Sequence, residues 1–296
     1  MPKYNFHLGI LRTSRRICNG NDNYDLIIVV KSALHGRQVR QSFRDFMQKE
    51  TSLNPNFKVA YVFSVGQPRA AGGRTFIRDG HQFYFEGSAS DLLQKSEGKS
   101  PADRMDIALE ADKYDDILLS DYEDTWFNLT WKTVTNLRWL SAFCDKSRHD
   151  TFMLLDDDHR VNLSMVENFL QTTPKQVKRQ SIFGFVVAGD NPSRDRTSKF
   201  YLAKWEYPMR IVPPYPRGFA QFIGADVVDD MAIASAYTKY NYFPEDIYLG
   251  ILALKLNIPL KNAPHMRGEG VYVPDSQNAR PVMVALDKYF ESFPDN

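Results

Sequence analysis

Thr151–Arg160 reads TFMLLDDDHR: a short uncharged run that ends abruptly in three carboxylates, Asp156, Asp157 and Asp158. A run of this kind makes a buried strand, and three carboxylates at its end cannot be buried with it. The charge must sit at a strand terminus, beside water or a cation. In an open α/β sheet the carboxyl edge of the strands is where ligands bind, so the triplet suggests a hard divalent ion with a polyphosphate or nucleotide. An acidic triplet also suits a solvated turn, and the flanking sequence has to separate the two readings.

Outward from this stretch, apolar runs alternate with helical patterns. Tyr24 to Lys31 (YDLIIVVK) reads as a buried strand, and RQVRQSFRDFMQKE after it places Val39, Phe43, Phe46 and Met47 at helical spacing. Phe57 to Val65 alternates as a second strand, and residues 67–100 read as an irregular insertion with a hairpin near His81 to Glu86, a candidate flap. A helix over PADRMDIALEADKY precedes a short strand, DDILLS. A long helix is then expected from about Asp121, with Asp121 and Asp124 as acidic groups at its start and Phe127, Trp131, Val134 and Leu137 on one core face. Beyond the triplet come a helix over VNLSMVENFLQ, with Asn162 suited to its N-cap, a strand SIFGFVV, and a Pro- and aromatic-rich connection from Lys204 to Arg217. That connection suits packing of rings on prolines or the lining of a sugar-sized cleft. The order predicts an α/β protein with a mainly parallel sheet covered on both faces. Pro244-Glu245-Asp246 opens a further helix and is a second acidic pair, readable as plain N-terminal capping or as chemistry.

The 296 residues suffice for one large domain. Lys and Arg number 37 against 36 Asp and Glu, a formal net charge of +1, so no global field draws the chain to nucleic acid or to a membrane. The longest purely aliphatic run, Leu26 to Val30, is far short of a bilayer span, and the first 20 residues carry Lys3, Arg12, Arg15 and Arg16 without the apolar core of a signal peptide. The chain reads as soluble. Two cysteines, Cys18 and Cys144, are too few for a disulfide framework and can either pair or stay reduced. Asn128-Leu129-Thr130 and Asn162-Leu163-Ser164 match glycosylation acceptors, but Asn128 falls among apolar neighbours and reads as a structural amide.

Taken together these landmarks resemble the β-1,3-galactosyltransferase family, which includes β-1,3-N-acetylglucosaminyltransferases and is related to the Fringe glycosyltransferases. The resemblance rests on Tyr114, Asp116-Ile117, Asp121-Tyr122, Asp124, Asn128-Leu129-Thr130 with Lys132-Thr133, Trp139 and Cys144. It continues through Asp156-Asp157-Asp158, Tyr215-Pro216 and Glu245-Asp246 with Tyr248-Leu249-Gly250, in the family's order. Arg37 and Arg40 resemble its early Arg-rich helix. Gly218 to Val227 departs from the family's small-residue pattern. The resemblance implies a GT-A fold in one catalytic domain, 23–296, after an N-terminal stub, 1–22. It implies Mn²⁺, or Mg²⁺, held by Asp158 and Asp156 with His265 as a further candidate ligand, and donor contacts from Arg37, Arg40, Lys132, Asp156 and Asp157. It also implies Asp246 as the base of an inverting transfer, with Glu245 orienting it or meeting the acceptor. UDP-galactose or UDP-N-acetylglucosamine would be the donor, a glycan or glycoconjugate the acceptor, and the Golgi lumen the compartment, with any membrane anchor outside this chain. Two alternatives stay open: a catalytically silent UDP-sugar or glycan binder, and a metal-dependent phosphohydrolase using the acidic triplet.

Overall fold

The computed structural model describes residues 3–5, 7, 9–20, 23–69, 75–78, 80–84, 100–239, 244–263, 266 and 280–282. Its centre is the strand that ends in the acidic triplet. This strand, β7 (Thr151–Asp156), lies parallel to β2 (Leu26–Lys31), with Lys31 directly opposite Asp156. On the far side of β2 come β3 (Val59–Gln67) and β6 (Ile117–Glu123), both parallel to it, and then the short antiparallel β1 (Ile10–Arg12). On the far side of β7 come β10 (Tyr215–Gly224), antiparallel, then β9 (Ile182–Val187) and β11 (Leu260–Asn262). The chain therefore winds outward from β2 through β3 to β6 and returns to the opposite side of β2 as β7. The crevice between the carboxyl ends of β2 and β7 is the switch point of the sheet, where open α/β sheets bind ligands.

Alternation along the central strands supplies two cores. Ile27, Val29, Phe152 and Leu154 face one way, against α3 (Leu129–Phe143), α6 (Val228–Tyr237) and α7 (Glu245–Leu256). Leu26, Ile28, Val30, Met153 and Leu155 face the other, against α1 (Arg37–Leu53), α2 (Ser100–Tyr114) and α4 (Leu163–Thr172). All six residues of β2 are buried, as expected of a parallel strand covered on both sides. Between α4 and β9 lies a short α5 (Lys175–Arg179), and β8 (His159–Val161) pairs outside the main sheet with β12 (Arg280–Val282). The hairpin of β4 (Thr75–Arg78) and β5 (His81–Tyr84) lies close to the expected position, and Phe76 and Phe83 pack edge-on against Phe127. The rest of the expected flap falls largely outside the described residues.

The structure differs from the sequence reading in several places. The connection expected from Lys204 to Arg217 ends earlier, because β10 begins at Tyr215; a register shift between Pro216 and Gln221 absorbs the irregular part while Ala220, Phe222 and Ile223 fill the core. The helix expected from Asp121 begins only at Leu129, since β6 runs through Glu123, and α3 is buried on most of its circumference and not on one face. Asp121 accepts the Gly9 N–H instead of capping a helix.

Residues 10–18 are not a stub outside the domain. β1 extends the sheet, Ile17 lies in the core, the Trp139 Nε1–H donates to Thr13 Oγ1 at 2.8 Å, and Cys18 forms a disulfide with Cys144 at the end of α3. A three-residue strand is too short to show a pattern of its own. The disulfide spans 126 residues, a long loop whose closure restricts the unfolded chain. Replacing Cys18 and Cys144 by Ser is expected to cost about 2–4 kcal/mol. A lowered urea midpoint, with an m-value that holds or rises as the unfolded chain is released, would show it, and an unchanged unfolding free energy would make the bond energetically idle. Both sequons have structural tasks: Asn128 Nδ2 donates to Glu123 O at 2.9 Å, and Asn162 Oδ1 caps α4 by accepting the Met165 N–H at 3.0 Å.

Candidate active site

The carboxyl edge at the switch point is built around one buried lysine. Lys31 closes an apolar strand with a positive charge, and an ammonium in that position has to be paired. Its Nζ reaches Asp156 Oδ1 of β7 at 2.8 Å, Glu245 Oε1 at the start of α7 at 2.9 Å and the Gly218 carbonyl of β10 at 2.7 Å. Burial alone would lower the lysine's pKa, but the Asp156 and Glu245 carboxylates outweigh it and hold the group above its usual range. Gly218 leaves room for that pair, because a Cβ at its position would stand 2.7 Å from Glu245 Oε1 and push the carboxylate off Lys31. Gly250 has a similar role one turn along α7: a Cβ there would meet the Pro214 carbonyl at 2.5 Å, so the glycine lets the helix lie against the start of β10.

Glu245 and Asp246, adjacent in sequence, are held apart electrostatically. Burial disfavours the charged form of Glu245, yet Lys31 keeps its pKa below the ordinary range. For Asp246, burial comes first and the Glu245 charge second, and together they push the carboxyl up to about 7. Asp246 accepts the Ile247 N–H at 2.8 Å and the Gly218 N–H at 3.3 Å. The N-cap of α7 is Pro244, without a side-chain cap bond; the Ile247 contact lies inside the first turn, and Glu245 points its carboxylate at Lys31. A carboxylate poised near neutrality and half-buried at a strand edge has the properties of a general base.

The three aspartates divide the work. Asp156 and Asp158 lie beside His159 with their ligand atoms all within 4.8 Å of one another, an oxygen and imidazole set that suits Mn²⁺. Asp158 Oδ1 is 2.6 Å from His159 Nδ1, and the imidazole stacks on Phe219 at 5.2 Å. Asp157 instead accepts from Ser32 Oγ at 2.7 Å and fixes the loop between β2 and α1. His265, expected as a metal ligand, lies outside the described residues; His159, which follows the triplet directly in sequence, is the histidine at the cluster.

The expected donor contacts separate in the same way. Arg37 is exposed at the first residue of α1, at the carboxyl edge. Arg40 is buried and donates to Glu110, Ser32 Oγ and the carbonyls of Ala33 and Leu34, which uses all five N–H groups of a guanidinium. These bonds hold the Ser32–Leu34 loop, and the expected donor contact would have to displace one of them. Lys132 is likewise engaged within the protein. Its ammonium is buried between the Ser32 carbonyl and Asp124 at 2.8 Å, and Asp124 in turn accepts the Gly66 N–H at 3.0 Å. Asp124 is therefore a strut between β3, β6 and the loop and not a helix cap. Residues missed in the sequence reading were Lys31, His159 and Gly218; the signal for the first was a charge closing an otherwise apolar strand.

Residues 96–264, which run from α2 through β11, match the family model described as Galactosyltransferase. The chain belongs to the galactosyltransferase family. Relatives of this galactosyltransferase-family chain include lactosylceramide 1,3-N-acetyl-β-D-glucosaminyltransferase of Xenopus tropicalis, 24% identical over 271 residues that cover 91% of this chain and 63% of that one. β-1,3-Galactosyltransferase brn of Drosophila melanogaster is 30% identical over 62% of this chain and 56% of its own length. Human β-1,3-galactosyltransferase 1 is 30% identical over 75% of this chain and 68% of its own. The chain thus spans less than two thirds of the length of the first two relatives. Among solved structures, a WbbM bifunctional glycosyltransferase aligns with 82% of this chain and 39% of its own at 8% identity and a TM-score of 0.37, a likeness too slight to carry an argument.

Proposed function

We propose that this chain is an inverting, metal-dependent transferase that moves galactose or N-acetylglucosamine from its UDP donor to a hydroxyl of a glycan acceptor, forming a β-1,3 bond. The observation that carries the reading is the pairing of two acidic sites on one strand edge through Lys31, one suited to a cation and one poised as a base near neutrality. The names of the relatives support the reaction class and the linkage. Asp156 and Asp158, with His159, would hold Mn²⁺ or Mg²⁺, which when bound neutralises the charge growing on the departing UDP. Arg37 at the mouth of the β2–α1 loop would meet the donor, while Asp157, Arg40 and Lys132 keep that loop in shape. Asp246 takes the proton from the attacking hydroxyl, and Glu245, itself held by Lys31, raises the proton affinity of Asp246. The Golgi lumen suits the disulfide, since such bonds persist in oxidising compartments. Among the described residues no helix is long and apolar enough to cross a membrane.

UDP release from UDP-galactose, UDP-N-acetylglucosamine and UDP-N-acetylgalactosamine, with and without Mn²⁺ and with an acceptor panel, tests the reading. Release that depends on acceptor and metal supports it; phosphate release without acceptor would favour a phosphohydrolase, and donor binding without turnover a silent binder. For the metal site, Asp158→Ala is expected to weaken Mn²⁺-dependent UDP binding by more than the roughly 10–100-fold that loss of an outer-shell partner costs. Because 46% of that side chain is exposed, the melting temperature should hold. Undiminished Mn²⁺-dependent affinity by calorimetry would remove Asp158 from the cation site.

A further inference from the structure

The connection from β9 to β10 carries a surface that the transferase reading leaves unused. Within it Trp205, Met209 and Ile211 are exposed by 66%, 61% and 55%, and Phe200 by 46%. This exposure belongs to an ordered segment: Arg194 donates to the carbonyls of Leu202, Tyr207 and Met209, Glu206 accepts the Ala203 N–H at 2.9 Å, and Tyr207 Oη donates to Ile211 O at 2.9 Å. Interleaved with the apolar side chains are five exposed cations, Arg196, Lys199, Lys204, Arg210 and Arg217. Between Arg196 and Arg217 the sequence holds one acid, Glu206, which is buried; at the margins Asp195 is exposed and Asp190 lies 3.8 Å from Arg217, which leaves Arg196, Lys199, Lys204 and Arg210 as the cations in excess. Lys239 adds its ammonium 5.6 Å from the Trp205 ring, and Lys199 lies 4.0 Å from the Trp126 ring. On a chain of net charge +1 this is a local excess of one sign.

We propose that this surface, residues 196–217, docks the protein on a phospholipid bilayer. A tryptophan and aliphatic side chains interleaved with an excess of Lys and Arg, the acids Asp190 and Asp195 lying at its margin, is the composition of an element that rests in the membrane interface. Apolar tips enter the acyl boundary while the cations meet lipid phosphates. A protein partner would need an acidic surface with matching hollows, whereas a bilayer satisfies both requirements over any area. The surface ends at Arg217, next to Gly218, whose backbone meets Lys31 and Asp246, so docking would bring the candidate active site to the membrane. The inference concerns binding and does not depend on the transferase reading.

The test is flotation of the full 296-residue chain with vesicles of phosphatidylcholine alone and of phosphatidylcholine with phosphatidylserine, at low and high salt. Wild type is expected to bind the mixed vesicles, more weakly at high salt, with a blue shift of tryptophan emission. Lys204→Glu with Arg210→Glu should weaken binding at least about tenfold, since each cation near an anionic surface contributes measurably. Trp205→Phe should remove most of the blue shift while leaving flotation largely intact. All replaced side chains are exposed, and circular dichroism should confirm the fold. Three results would overturn the proposal: no flotation of wild type with either vesicle, equal flotation of the charge-reversed variant, or lipid-free self-association that the charge reversal abolishes.

Discussion

Asp246→Asn is expected to lower kcat by about a hundredfold to ten-thousandfold while leaving Mn²⁺-dependent UDP affinity and the fold near those of the unaltered chain. The amide has the size and the capping ability of the carboxylate but cannot take a proton from the acceptor hydroxyl. Capping alone would therefore leave Asp246→Asn fully active, and wild-type turnover in that variant would move the base elsewhere. The pH profile supplies a second reading. A base with a pKa of about 7 works only when ionised, so the acid limb of kcat/KM should fall as pH drops through about 7. For stability the sign is opposite: a carboxyl whose folded pKa is raised favours folding below its unfolded value and loses that contribution as pH rises through about 7. Asn at this position should therefore hold or raise the melting temperature at pH 8. A lower melting temperature there would show that the carboxylate's contacts with the Gly218 and Ile247 N–H groups outweigh its burial.

How far the sequence disclosed this site depends on whether a residue's task is local or assembled. The DDD terminus was legible because a buried strand and exposed carboxylates make a local contradiction, resolved only at a sheet edge. Asn162 was legible as a cap for the same reason. Glu245 and Asp246 remained divided between capping and catalysis because the element that separates the roles, Lys31, lies more than 200 positions earlier and meets Glu245 only through the sheet. For Arg40 and Lys132 nothing in the sequence pointed to their partners in the fold, Glu110 and Asp124, which come from separate elements. β10 was hidden by its own irregularity, since Pro216 and Gly218 signal a turn and only pairing with β7 and β9 makes the segment a strand. The β1 edge and the disulfide, both at the amino end, depend on contacts more than a hundred residues away.

Those long-range ties converge on Lys31, and its removal should have the second large effect. Lys31→Met keeps the unbranched stem, one atom shorter, but leaves the Glu245 and Asp156 carboxylates facing each other and the Gly218 carbonyl without its donor. Breaking a buried pair by deleting one partner costs about 3–5 kcal/mol, and the 36% exposure of Asp156 argues for the lower end. The loss should depend on pH in a defined direction. With Lys31 present, the folded pKa of Glu245 is depressed, so the pair stabilises the fold above the ordinary carboxylate range and stops doing so as pH falls through the folded value. The gap between wild type and Lys31→Met should accordingly be wide at pH 7 and narrow near pH 4, measured as urea midpoints. Adding Glu245→Gln to Lys31→Met removes one of the two stranded charges and should recover part of the stability at pH 7. It should not recover transfer, because the tie that sets Asp156 beside the cation site and Glu245 beside the base would still be missing. A Lys31→Met variant as stable and as active as wild type at pH 7 would mean that the two acidic sites work independently, and the account of this edge as one assembled site would fail.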